Sequence, residues 1–430
     1  MSIADDVVAL IDKEELAQFA LELCNIDSAV GHEREVADHV FGWLEREGFA
    51  ARRIGLFAER FNVLGRLPGS GGGKSLIFNS HFDTAVPRHR DLVHHDTQSP
   101  VYHSAWREGD MLIGEGICND KGPMAAFLLA ARAIRRSGHK LKGDLLVSGA
   151  ITETGGEPAD DDAPGAYPES KDMGARFLVT HGGVADYALV AEGTGFGLVW
   201  GEAGEFWYKL TLRSDQPPFY TPYLPKRTTL AKSPNMIVAA AAAIAAIEDW
   251  AADYEVRNVY KCAGGTVVPK AQVGGIRSGD HHKPQMSPQV CHLYIDVRSV
   301  PGQDPVRTGE SISRAVTRAG VANSIELYHY RPGQEARNVD EFAEAVRRAH
   351  RATFGAEPVA PFVETSSMWR DINPFNEAGI PAITYGPRST THSFKRALTL
   401  ESLHQAACAY ARLAVDVCNT DKPDTGSLLR

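Results

Sequence analysis

Continuous apolar runs alternate along this chain with stretches of helical period. Ser75–Ser80 (SLIFNS), Asp144–Ile151 (DLLVSGAI), Tyr187–Ala191 (YALVA) and Ala382–Tyr385 (AITY) read as strands covered on both faces. An unbroken apolar run of that length leaves no polar face for water. Asn62–Leu67 adds a strand ahead of the flexible Gly69–Gly73 loop. Lys13–Leu23, Glu33–Arg46, Met124–Ser137, Asp340–Phe354 and Leu400–Val417 read as helices; Val36, Val40, Phe41 and Leu44 give the second an apolar stripe. Strands and helices in this alternation predict an α/β sheet with helices on both faces.

The texture changes near Gly204. Glu205–Arg213 (EFWYKLTLR) alternates strictly, and so does Val290–Arg298 (VCHLYIDVR). In the latter, Cys291, Leu293, Ile295 and Val297 face inward, while His292, Tyr294, Asp296 and Arg298 share the other face. Ser233 caps and Pro234 opens an alanine-rich helix running to Trp250. Pro305–Ala319 is a helix and Ser324–Tyr330 a strand. One-sided strands with two helices predict a small α+β unit over 204–332, inserted into an α/β domain made of 1–203 and 333–430.

A length of 430 residues suits two domains rather than one. The net charge of −9 comes with no basic stripe, which argues against a nucleic-acid partner. The longest apolar run, Ile237–Ile247, is mostly alanine and too short to span a bilayer. The acidic, amphipathic start MSIADDVVALIDKEEL lacks the basic and apolar regions of a signal peptide. Six cysteines without paired spacing suit a reducing cytoplasm. Cys118, two residues before Asp120, reads as a small buried residue.

Candidate chemistry collects where the apolar runs end. His81 follows SLIFNS, Glu153 follows DLLVSGAI, Glu192 follows YALVA, and His392 lies just past AITY in YGPRSTTHS. Asp120 stands ahead of an apolar helix with Pro123 in its first turn. Ligands of open α/β folds gather beyond the carboxyl ends of strands. Two histidines and three carboxylates, with Asp120 as the bridge, can make a paired site for zinc, manganese or cobalt. Asp83, two residues past His81, can fix the imidazole from behind.

The motifs HFDTAVP, GEGICNDKG, ITETGGE, LVAEGT, DVRSVPG, AGIPAITYGP and THS stand in this order. With them the chain resembles the aminoacylase, succinyl-diaminopimelate desuccinylase and glutamate carboxypeptidase family of metallohydrolases over nearly its whole length. The resemblance implies a metallopeptidase-type mixed sheet flanked by helices, an inserted lid that dimerises, and one or two divalent metal ions. It implies that His81, Asp120 and Glu192 hold one metal, that Asp120, Glu153 and His392 hold the other, and that Asp83 orients His81. It also implies that Arg298 meets a substrate carboxylate, as a guanidinium fork allows.

Three departures from that family stand out. The family has two acidic residues in a row before its Gly, a general base and then a ligand; here the pair is Thr152-Glu153, ahead of Gly155. Either Glu153 becomes the base or Glu157 substitutes. The family's lid histidine has no counterpart between Ser214 and Pro234, where Tyr220 and Arg227 are the nearest polar residues. His281 and His282 can arrive from elsewhere, although a solvated loop pair is the simpler reading. The Glu usual four residues after the last ligand His is Arg396. Retained ligands with altered amide machinery suggest hydrolytic deamination of an activated aromatic amine carrying a carboxylate: 5-nitroanthranilate to 5-nitrosalicylate and ammonia. There, negative charge spreads into the ring, so no oxyanion donor is required. The alternative is an amidase, aminoacylase or dipeptidase that releases an amino acid from an N-acyl or peptide substrate. A metal-bound scaffold without activity is the third reading. The expected partners are a small carboxylated substrate and other copies of the chain.

Overall fold

The computed structural model describes residues 2–85, 99–156, 159, 171–226, 229–389 and 396–423. The chain divides into two compact units: Met1–Trp200 with Ala336–Phe362 and Arg370–Arg430, and Gly201–Glu335 with Val363–Trp369. The excursion Val363–Trp369 joins the smaller unit, although sequence reading leaves everything past 332 with the larger one.

The larger unit is built on a six-stranded mixed sheet. Its strands are β1 (Ala50–Phe57), β2 (Arg60–Leu67), β3 (Leu76–His81), β4 (Leu145–Ala150), β5 (Tyr187–Val190) and the strand Ala382–Thr384. Their order across the sheet is β1, β2, β4, β3, β5, then Ala382–Thr384. β1, β2 and β4 are linked antiparallel; β4, β3, β5 and Ala382–Thr384 run parallel. Every residue of β3, β4 and β5 is buried, as their unbroken apolar runs require. β1 escapes the sequence pattern because it is an edge strand with a single buried residue, Ile54.

The helix Lys121–Arg136 is buried along nearly its whole length and packs between β3 and the helix Leu400–Asn419. Phe78 of β3 stacks on Phe127 with ring centroids 5.7 Å apart and meets Tyr410 at 5.5 Å. Each such fully buried aromatic contributes about 2–3 kcal/mol through the apolar area it withdraws from water. Helix Leu400–Asn419 starts cleanly because the Thr399 side chain accepts a hydrogen bond from the Ser402 amide. Among the described residues, no helix is long and apolar enough to cross a membrane.

In the smaller unit, four antiparallel strands lie in the order β7 (Lys270–Ser278), β8 (Val290–Ser299), β6 (Gly204–Arg213), β9 (Ser324–Arg331). The inward face of β8 is Cys291, Leu293, Ile295 and Val297, packed with Phe206, Leu210 and Leu212 of β6. The alanine-rich helix is Met236–Arg257, ending seven residues later than its pattern suggests. Asn235, not Ser233, caps it by accepting from the Ile237 amide, and Ala251 and Tyr254 carry its buried stripe past Trp250. β7 is missed by periodicity because it is an edge strand with a register shift at Gly275.

One close approach in the larger unit sets the mouth of the sheet. Phe82, directly after His81, is fully buried against Gly149 of β4, where an added Cβ would lie 2.1 Å from the ring's Cζ. Gly149→Ala should therefore push the Phe82 ring aside and cost about 1–3 kcal/mol. A lowered midpoint in chemical denaturation is the expected result, and an unchanged midpoint would contradict this packing account.

Candidate metal centre

Three adjacent parallel strands deliver acidic and imidazole groups to one edge. His81 ends β3 and pairs with Ala150 at the end of β4, so Glu153 follows three residues beyond its neighbour. β5 lies on the other side of β3 and is followed by Glu192; the Ala191 amide continues the ladder to the Asn79 carbonyl at 2.8 Å. Asp120 enters from the loop before helix Lys121–Arg136, and its carbonyl accepts from Ser80 Oγ at 3.1 Å.

His81 and Asp120 are fully buried and Glu192 nearly so. One ligand atom from each lies within 4.8 Å of the others. His81 Nε2 is 3.6 Å from Asp120 Oδ2 and 3.6 Å from Glu153 Oε2. Among the described residues, His81 Nε2, both Asp120 carboxylate oxygens and Glu192 Oε1 have no hydrogen-bond partner. Buried carboxylates left so cost several kcal/mol each. A divalent cation bound to the set removes that cost, and imidazole with two carboxylates suits such an ion. The residues fit a metal.

The imidazole is aimed from behind. His81 Nδ1 donates to the backbone carbonyl of Asp83 at 2.9 Å, which turns Nε2 towards the carboxylates as the ligand atom of the neutral ring. The Asp83 carboxylate, expected from sequence to orient His81, lies 3.7 Å from Nδ1 and serves another segment. It accepts from the Glu153 amide at 3.0 Å, the Thr154 amide at 2.7 Å and Thr154 Oγ1 at 2.5 Å. Asp83 thus holds the turn that carries Glu153. Thr152, at the position where the family has its base, adopts φ 60°. That is a strained conformation for a β-branched residue, one that the Asp83 clasp on the next two residues helps sustain.

Burial and like charge shape the titration of the cluster. Burial lowers His81, but Asp120, Asp83, Glu153 and Glu192 outweigh it and push it up to about 10. Burial, then the Glu192 carboxylate, raises Asp120 well above the usual range. Burial also raises Glu153, opposed by His81 and reinforced by Glu192.

The structure adds residues that sequence reading passed over. Arg370 is buried and donates from Nε to Glu192 Oε2 at 2.6 Å. Asp371 accepts from Asn79 Nδ2 at 2.9 Å, and burial, then the Glu153 charge, pushes it up to about 7. The signal in the sequence is a charged pair set directly between Trp369 and Ile372. Lys121, beside Asp120, is also buried and donates to the Ile26 carbonyl and to Ser28 Oγ, both at 2.9 Å.

In the smaller unit, Arg298 is engaged by Glu205 at 2.6 Å and Asp296 at 3.1 Å. Tyr220 is half exposed and bridges to Met286. His281 and His282 are exposed, as a solvated pair would be. Arg396 is tied to Glu115 at 2.5 Å and lies over the Tyr102 ring. Glu157, Arg227 and His392 lie outside the described residues.

Residues 77–416 match the sequence profile of peptidase family M20/M25/M40. The chain belongs to that family. It is therefore a metal-dependent hydrolase of C–N bonds. It is 24% identical, over 94% of both chains, to N-formyl-4-amino-5-aminomethyl-2-methylpyrimidine deformylase of Bacillus subtilis. Human carnosine dipeptidase 1 shares its fold at a TM-score of 0.68, with 13% identity over 97% of this chain and 99% of that one. YXEP, a dinuclear metal-binding peptidase of Bacillus subtilis, does so at 0.62, with 15% identity over 95% and 99%.

Metal and proton compete for His81. At pH 7 the metal-free site holds His81 protonated, because about 10 lies above the solution pH. A ligating imidazole must be neutral. Metal uptake should then release at least one proton per ion, and affinity should rise with pH towards about 10. Calorimetry in buffers of different ionisation enthalpy measures this, and uptake independent of buffer would refute it. His81→Ala should abolish uptake.

Proposed function

We propose that this protein hydrolyses the amide bond of a small N-acylated or N-formylated amine, or of a dipeptide, at the His81–Asp120–Glu192 centre. The observation that carries the reading is the buried set of unpartnered ligand atoms with Glu153 Oε2 3.6 Å from His81 Nε2. The end-to-end likeness to a deformylase supports it. The aromatic deamination read from the sequence gives way to this alternative: the relatives named above are a deformylase and peptidases. The altered Thr152 position does not by itself remove amide chemistry while Glu153 stands at the centre.

When bound, a divalent ion polarises a carbonyl oxygen and makes water acidic near neutrality. Glu153 is the group that takes the proton from the attacking water and returns it to the leaving nitrogen. Its raised carboxyl titration brings it closer to neutral pH, where such transfer works best. Asp83 fixes its turn, and His81, Asp120 and Glu192 hold the ion tightest. A second, weaker ion would use Asp120, Glu153 and His392. Arg298, Tyr220 and Arg227 are proposed to meet the substrate.

Protein loaded with manganese or zinc, offered N-formyl and N-acetyl amines, dipeptides and 5-nitroanthranilate, should cleave members of the amide set. Glu153→Gln should lower kcat about 10²–10⁴-fold while keeping one ion bound. Ammonia from 5-nitroanthranilate with every amide untouched would restore the aromatic reading. Unaltered kcat in Glu153→Gln would remove Glu153 as the base.

The proposal includes self-association through the smaller unit, where β7 is an edge strand bearing exposed Ile276 and the helix Met236–Arg257 exposes Ile237. Sedimentation velocity should give a dimer or larger, and Ile237→Asp with Ile276→Asp should shift it to monomer. A monomeric wild type at high concentration would end this part of the proposal.

A further inference from the structure

Glu192 is gripped by one oxygen only. Its Oε2 accepts from Arg370 Nε at 2.6 Å, while Oε1 is buried without a hydrogen-bond partner among the described residues. Both side chains are almost wholly enclosed, Arg370 at 1% and Glu192 at 4% exposure. A guanidinium buried this deeply has a desolvation cost of several kcal/mol, offset only by good geometry to its partner.

The segment carrying Arg370 is itself pinned. Asp371 accepts from Asn79 Nδ2 at 2.9 Å, and Asn79 Oδ1 accepts from Ser148 Oγ at 2.8 Å. Asn79 and Ser148 belong to β3 and β4, the strands that deliver His81 and Glu153. On the other side, the Asn373 amide closes onto the Arg370 carbonyl at 3.1 Å, and Ile372 and Phe375 are buried with Ile54, Ile77, Leu146 and Val190. The backbone at 370–373 is thus fixed to the sheet, and the guanidinium has little room to follow a carboxylate that turned.

We propose that Arg370 is a positioning residue that fixes Glu192 as a one-oxygen ligand through Oε1 and thereby sets the preference of the centre between divalent ions. The proposal rests on the metal reading of the His81–Asp120–Glu192 set. With Oε2 held, closing on the ion with both oxygens would strain the Arg370 hydrogen bond, and a low coordination number is favoured. Zinc accepts four ligands readily, whereas selectivity among divalent ions follows ligand number and geometry. Releasing Oε2 adds an oxygen and favours a larger ion of higher coordination, such as manganese.

Charge and geometry pull affinity in opposite directions. Arg370 repels any cation in the centre, so its loss would tighten both ions; its loss as an orienting partner would loosen them. Zinc and manganese carry the same charge, so the Coulomb effect cancels in the ratio of their dissociation constants and the ratio reports geometry alone. We would measure both constants by chelator competition for wild type, Arg370→Met, Arg370→Lys and His81→Ala, with circular dichroism of each metal-free protein. Arg370→Met should move the ratio towards manganese by about tenfold or more, in the range seen when partners of ligands are removed. Arg370→Lys keeps the charge but not the planar fork, and should move it the same way by less. It also serves if the Met variant does not fold. An unchanged ratio in both folded variants, whatever happens to the separate constants, would overturn the role of Arg370. Retention of both ions by His81→Ala would instead overturn the metal reading beneath it.

Discussion

Buried negative charge is the constraint from which the rest follows. Asp120, Glu192, Glu153, Asp83 and Asp371 crowd the mouth of one sheet with, among the described residues, the His81 imidazole between them, and little of any of them reaches water. Arg370, Lys121 and Lys171 are buried cations nearby, and Lys121 donates to the Ile26 carbonyl and the Ser28 hydroxyl. A carboxylate desolvated beside others either takes up a proton or binds a cation. The raised titration of Asp120, Glu153 and Asp371 describes the first outcome, and the unpartnered ligand atoms prepare the second.

Parallel strands make this crowding feasible. Neighbours in register end together, so β4, β3 and β5 present Glu153, His81 and Glu192 within a few ångströms without any long loop to order. Helices shield the cluster on one face of the sheet, Lys121–Arg136 against β3 and Leu400–Asn419 behind it. The backbone does part of the work that side chains were expected to do: the Asp83 carbonyl sets the imidazole, and the freed carboxylate clamps the Glu153 turn.

Much of this was legible in the sequence because burial on two faces writes unbroken apolar runs. SLIFNS, DLLVSGAI and YALVA marked the central strands, and the polar residue that ended each run was a site residue. β1 and β7 were illegible for the complementary reason: edge strands face water and carry no such run. Arg370 and Asp371 were hidden differently. Arg370 meets Glu192 across 178 positions of sequence, and no periodicity relates a side chain to a partner so distant. Only the wedge of charge between Trp369 and Ile372 hinted at it. The length of the alanine-rich helix was misjudged because alanine stripes give weak amphipathic contrast, so its end at Arg257 depends on tertiary contacts of Ala251 and Tyr254.

The insertion of the smaller unit also has a temporal side. Trp200 and Ala336 are joined by a 2.8 Å hydrogen bond between the Ala336 amide and the Trp200 carbonyl, so the long excursion 201–335 leaves and re-enters the larger unit at one point, apart from the short second excursion Val363–Trp369. His81, Asp120, Glu153 and Glu192 all precede that exit, whereas the helix Leu400–Asn419 that seals Lys121–Arg136 comes last. At about 5–20 residues per second, roughly ten to forty seconds of synthesis separate Glu192 from that helix. Throughout this interval the nascent ligands stand without their final cover, and the smaller unit emerges whole in the meantime. The order of synthesis thus gives a newly made chain a window in which ions from its surroundings can reach the ligands before the core closes over them.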